Sequence, residues 1–79
     1  MSDQKIGNQL VAAATQQLTT AGVPDAARDA RKLFAYASGV EASRLTLSLS
    51  DPVSVEVAER FYRLVARRSR FEPVSHLIG

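Results

Sequence analysis

The chain contains no cysteine in 79 residues. That excludes a disulfide framework, a thiolate zinc site and a cysteine nucleophile, and it fits a reducing compartment. A single histidine, His76, rules out a histidine metal cluster and leaves a Ser/His/Asp assembly only one base to use. The four glycines, Gly7, Gly22, Gly39 and Gly79, are scattered and fall mostly at expected helix ends, so there is no glycine-rich phosphate loop. Met1-Ser2-Asp3-Gln4-Lys5 lacks a basic stretch followed by an apolar one, and no apolar run approaches the roughly 20 residues that cross a bilayer. The expectation is a cytoplasmic protein with no membrane segment. No fixed-period repeat and no low-complexity segment is present.

What remains is ordinary globular material. Apolar residues make up 46% and charged residues 23%, with a net charge of +2, so the chain is neither disordered nor a polyelectrolyte. The pI near 9.5 follows from that excess of two charges and names no partner class. At this length one domain, residues 1–79, is expected, because neither half would bury a useful core alone.

The apolar pattern is helical. From Lys5 to Ala21, Ile6, Leu10, Ala14 and Leu18 recur every fourth residue, widened by Val11 and Ala21, and Gly22 supplies a stop. Val23-Pro24-Asp25 restarts the chain, with proline suited to a first helical turn and Asp25 complementing the positive helix end. The second helix is predicted to run to Ser38 with Ala26, Ala30, Leu33, Phe34 and Ala37 on one side, stopped by Gly39. Between Glu41 and Leu49, period does not separate a helical turn from an extended piece; a short helix over Glu41 to Leu47 is the favoured reading. Asp51-Pro52-Val53-Ser54 reads as a turn and cap before a long helix with Val57, Phe61, Leu64 and Val65 on one face, ending near Arg70 at Glu72-Pro73. Val74 to Ile78 has room for one last turn. The fold class expected is all-α, a small bundle of four to five short helices.

Chemistry is sparse: no catalytic, cofactor-binding or metal residue is expected. His76 reads as a half-buried histidine near a domain junction, and Tyr36 and Tyr62 as rim residues of the core. Arg60, Arg63, Arg67 and Arg70 share one side of the last long helix, a possible basic stripe for phosphate or an acidic protein. Glu56 and Glu59 precede Arg60 and Arg63 by four residues on that same side, so salt-bridged pairs are expected to cancel much of the field, and nucleic acid is disfavoured. Arg68 falls between Leu64 and Phe61, inside the apolar arc, and needs a partner there. Asp29, at the edge of the second helix's apolar face, is the predicted one, in a structural ion pair.

Ala21-Gly22-Val23, Asp29-Ala30 with Leu33, Leu45 after Gly39, and Arg67-Arg68 with Glu72-Pro73 and Gly79 together give the span from Leu10 to Gly79 a family likeness. It resembles the N-terminal domain of the HemK/PrmC family, the protein-glutamine N5-methyltransferases that modify peptide-chain release factors. Two positions depart from that pattern: Phe71, where family members commonly carry glycine before Glu-Pro, and Lys32, where an apolar residue would be unsurprising. The resemblance implies a fragment whose reading frame continues into a C-terminal methyltransferase domain in cis, which binds S-adenosylmethionine and methylates the glutamine of the Gly-Gly-Gln motif of release factors. It implies no catalysis by these residues themselves. Their implied part is to help hold the release factor, with Arg60, Arg63 and Arg67 as candidate partner-binding residues. The alternative is a free-standing helical module that binds protein or nucleic acid.

Overall fold

The three long apolar stripes become three long helices in the computed structural model, which describes residues 5–78. They are α1 (Gly7–Thr20), α2 (Ala26–Ser38) and α4 (Val55–Ser69), with the short helices α3 (Leu45–Ser48) and α5 (Val74–Ile78). A 3₁₀ turn, Ala42–Arg44, leads into α3. No strand occurs among the described residues; the sole extended pairing there is an isolated antiparallel bridge between Ile6 and Pro52. The all-α class expected from periodicity is what the chain adopts.

The stripes meet at the middle of the bundle. Helix α2 contacts α1, α4 and α5, and its Ala26, Ala30, Leu33, Phe34 and Ala37 are all buried. Against them lie Leu10, Ala14 and Leu18 of α1 and Phe61, Leu64 and Val65 of α4. The small alanines bring backbones close, and larger side chains fill what remains. Phe34 and Phe61 stack edge to face with ring centroids 5.2 Å apart and planes at 87°, the arrangement aromatic quadrupoles favour.

The boundaries show where long-range contacts outrank local preference. Helix α1 begins at Gly7, because the chain before it is occupied elsewhere: Val53 N–H donates to Lys5 O at 2.9 Å across the bridge to Pro52. The first amides of α1 are satisfied from the far loop, Gly7 N–H by Asp51 O at 3.2 Å and Asn8 N–H by Leu49 O at 2.7 Å. Gly7 permits this approach, since a Cβ there would stand 3.1 Å from Leu49 Cα and 3.1 Å from Phe34 Cζ. Pro24 lies outside α2, in the preceding turn, contrary to expectation. Asp25, with φ 53°, occupies the cap, and its carbonyl accepts from Asp29 N–H at 3.0 Å.

The ambiguous middle resolves as helix, beginning as the 3₁₀ turn at Ala42 and continuing through Ser48. Leu45 and Leu49, four apart, are buried, whereas Leu47 between them is 81% exposed, so the helical period governs. Ser54 caps α4 by accepting from Val57 N–H at 3.2 Å.

Helices α1 and α4 end in the same hydrogen-bond pattern. After α1, Gly22 N–H donates to Thr19 O and Val23 N–H to Leu18 O; after α4, Phe71 N–H donates to Arg68 O and Glu72 N–H to Arg67 O. Both are Schellman endings, which require a left-handed residue just past the helix. Gly22 meets that requirement without strain at φ 88°; Phe71 meets it at φ 67° with a Cβ in place.

Candidate partner-docking surface

The polar side chains that point toward other elements serve helix ends and interhelical ties. Arg68 Nε donates to Asp29 Oδ2 at 2.9 Å, joining α4 to α2, with side-chain exposures of 16% and 13%. Arg68 Nη1 also donates to Glu72 O at 3.1 Å, so one guanidinium fixes α2, α4 and the segment leading to α5. Among the described residues, no buried side-chain nitrogen or oxygen lacks a partner.

The candidate arginines of α4 divide. Arg60 Nη1 reaches across to Ala37 O at 3.0 Å, satisfying a terminal carbonyl of α2 and placing a cation at that helix's negative end. Arg67 makes a two-pronged ion pair with Glu72, Nη2 to Oε1 at 2.9 Å and Nε to Oε2 at 3.0 Å. The hydrogen bond from Arg67 holds the Glu72 carboxyl below its usual range; partial burial opposes this, while the charges of Arg67, Arg70 and His76 reinforce it. The same bond raises the Arg67 guanidinium. Arg63 is exposed and makes no hydrogen bond or ion pair among the described residues. Neither expected pair, Glu56 with Arg60 or Glu59 with Arg63, closes among those residues. For Arg60 the reason is visible: the Ala37 carbonyl takes its guanidinium.

His76 is exposed, which corrects the half-buried reading. In so short a helix the inward positions are three and four apart, Val74, Leu77 and Ile78, and His76 falls outside that arc. Tyr36 and Tyr62 are about half exposed, at the core's rim.

No group of His, Cys, Asp or Glu among the described residues is arranged to hold a metal ion. Nor do these residues fit S-adenosylmethionine. The helix start that carries a glycine, at Gly7, already has its amides bound by Leu49 and Asp51, and Gly22 and Gly39 close helices. No helix among the described residues is long and apolar enough to cross a membrane.

The chain is a small helical domain whose internal polar groups tie its helices together. The comparisons give its family. A family model described as the PrmC N-terminal domain matches residues 9–79, and the chain belongs to that family. It is similar to the release factor glutamine methyltransferase of Cereibacter sphaeroides, 45% identical over 67 residues that cover 85% of this chain and 24% of the relative. The protein of the same name from Streptomyces coelicolor is 41% identical over 87% of this chain and 23% of its own length. That from Agrobacterium fabrum is 31% identical over 98% and 26%. The chain thus spans about a quarter of the length of these curated relatives. No solved structure gives a significant match.

Proposed function

We propose that this chain is the substrate-positioning domain of a release factor glutamine methyltransferase. In this reading the reaction, methyl transfer from S-adenosylmethionine to the amide nitrogen of the Gly-Gly-Gln glutamine, belongs to a catalytic domain that follows in cis. The observation that carries the reading is the family match across residues 9–79, in a bundle whose inward-facing polar groups are engaged with one another.

The physical role follows from the size of the substrate. A glutamine on a large protein must enter a pocket in a defined pose, and contacts far from the reacting nitrogen lower the entropy cost of that pose. The bonds from Arg68 to Asp29 and to the Glu72 carbonyl hold α2, α4 and the segment before α5 together, which supports a fixed surface for such contacts. Of the α4 candidates, Arg63 offers its charge without first breaking an internal bond, whereas Arg60 and Arg67 would each give one up.

The test is a titration of isotope-labelled chain with a class-I release factor, followed by backbone amide shifts. Localised shifts on one face support the reading. Unchanged spectra at high micromolar release factor refute a docking role and leave the bundle a scaffold.

A further inference from the structure

The charge that the bundle leaves uncompensated lies on α2 as well as α4. Arg28, Arg31 and Lys32, within one turn, wall a depression of about 290 Å³ floored by Leu45. Arg28 and Lys32 have no ion-pair or hydrogen-bond partner among the described residues. Arg31 Nη2 donates only to the neutral Thr46 Oγ1, at 3.1 Å. Adjoining it, with Lys32, Ala35 and Ala42 as shared walls, is a second depression of about 580 Å³, lined by Tyr36, Val40 and Ile78 with Glu41 at its rim. The two form one groove along the outer side of α2, cationic at one end and apolar at the other.

We infer that this groove receives an acidic, amphipathic segment of the protein substrate, with carboxylates against Arg28, Arg31 and Lys32 and apolar side chains over Ala35, Val40 and Ala42. The inference rests on the docking reading above and names its surface. Charge complementarity sets the occupant's head, because three cations with no carboxylate partner among the described residues favour an anion. The apolar half sets its tail: a protein segment gains by covering Val40, Ala42 and Ile78, whereas a phosphate chain needs cations along its track. Such a chain would meet Glu41 there instead. Arg31, restrained by Thr46, loses less rotamer freedom when it binds than a free arginine does.

The experiment compares two double variants that each lower the net charge by two. Arg28→Gln with Lys32→Gln alters the groove; Asn8→Asp with Gln16→Glu alters exposed positions on α1. All four positions are exposed, and an unchanged amide spectrum away from the substitutions confirms folding. Class-I release factor is titrated into each and into the unsubstituted chain, with single-stranded RNA as a separate titrant. Expected are shifts over residues 28–46 and Ile78, and binding weakened at least tenfold in the groove variant but within twofold in the α1 variant. Equal weakening in both variants reduces the effect to net charge and overturns the groove. An unaffected groove variant also overturns it while leaving the docking reading intact. Unsubstituted chain that fails to bind release factor refutes the docking reading, and the groove falls with it. Tighter binding of RNA than of release factor at residues 28–46 overturns the assignment to a protein segment.

Discussion

Replacing Arg68 with alanine should leave Asp29 with a carboxylate that is 13% exposed and has lost its cationic partner. Removing one partner of a buried pair costs about 3–5 kcal/mol because the remaining charge is uncompensated, and the slight solvent access here puts the expectation at about 3 kcal/mol. The Arg68 bond to the Glu72 carbonyl is lost as well. A domain of this length has roughly 4–12 kcal/mol of total stability, so the loss is a large share of it. In urea, with an m-value of about 1 kcal/mol/M, the midpoint should fall by about 3 M. Asp29→Ala should cost less, about 1–2 kcal/mol, because the long Arg68 side chain can turn toward solvent and keep its carbonyl acceptor. The double variant leaves no unpaired carboxylate and should therefore be less destabilised than Arg68→Ala alone, at about 1–2 kcal/mol in total, with a coupling of about 3 kcal/mol. A midpoint shift below about 0.5 M for Arg68→Ala at unchanged m, or additive single variants, would refute the argument that this pair locks α2 to α4.

Three further outcomes are expected. Phe71→Gly should raise stability by about 1 kcal/mol, since glycine removes the left-handed penalty at φ 67° and the ring given up is 55% exposed; thermal unfolding should rise by several degrees, and a fall would show that the ring's contacts outweigh the strain. Gly7→Ala should destabilise by about 1 kcal/mol despite alanine's helix preference, because its Cβ would press on the Leu49 backbone; an unchanged melting temperature would mean that the loop yields freely. The depressed Glu72 carboxyl makes the Arg67–Glu72 pair pH-dependent: its stabilisation is full above the ordinary carboxylate pKa and is lost as pH falls through the lowered one. In a carboxyl-carbon NMR titration, Arg67→Ala should move the Glu72 midpoint upward, and an unmoved midpoint would remove Arg67 as the cause.

The candidate surface was less legible than the fold. Counting charges along α4 and its C-terminal cap finds four arginines on one side, but only the tertiary structure shows that Arg60 closes α2 and Arg67 holds Glu72. The groove on α2 left a faint trace, Arg28, Arg31 and Lys32 in close succession. What makes it a groove is the turn after Gly39 and the return of α5, which place Ala42 and Ile78 beside Lys32 and Ala35. Ile78 is distant from Lys32 along the chain, and Ala42 reaches Ala35 only across the turn after Gly39, so no helical period announces either.

Local information determined which segments are helices and which of their faces turn inward. Leu10, Ala14 and Leu18, then Ala30, Leu33 and Phe34, then Phe61, Leu64 and Val65 are spaced as one-faced helices, and burying each face is the strongest favourable term available to so small a chain. The same spacing placed Arg68 in an apolar arc, where a charge requires a partner. The tertiary structure alone decided that α1 starts at Gly7 under the carbonyls of Leu49 and Asp51, that Phe71 takes a conformation suited to glycine, and that His76 faces solvent. The first is set by groups distant in sequence, the second by the hydrogen bonds that close α4 and the third by which face of α5 packs inward, and such contacts override preferences worth about 1 kcal/mol or less per residue.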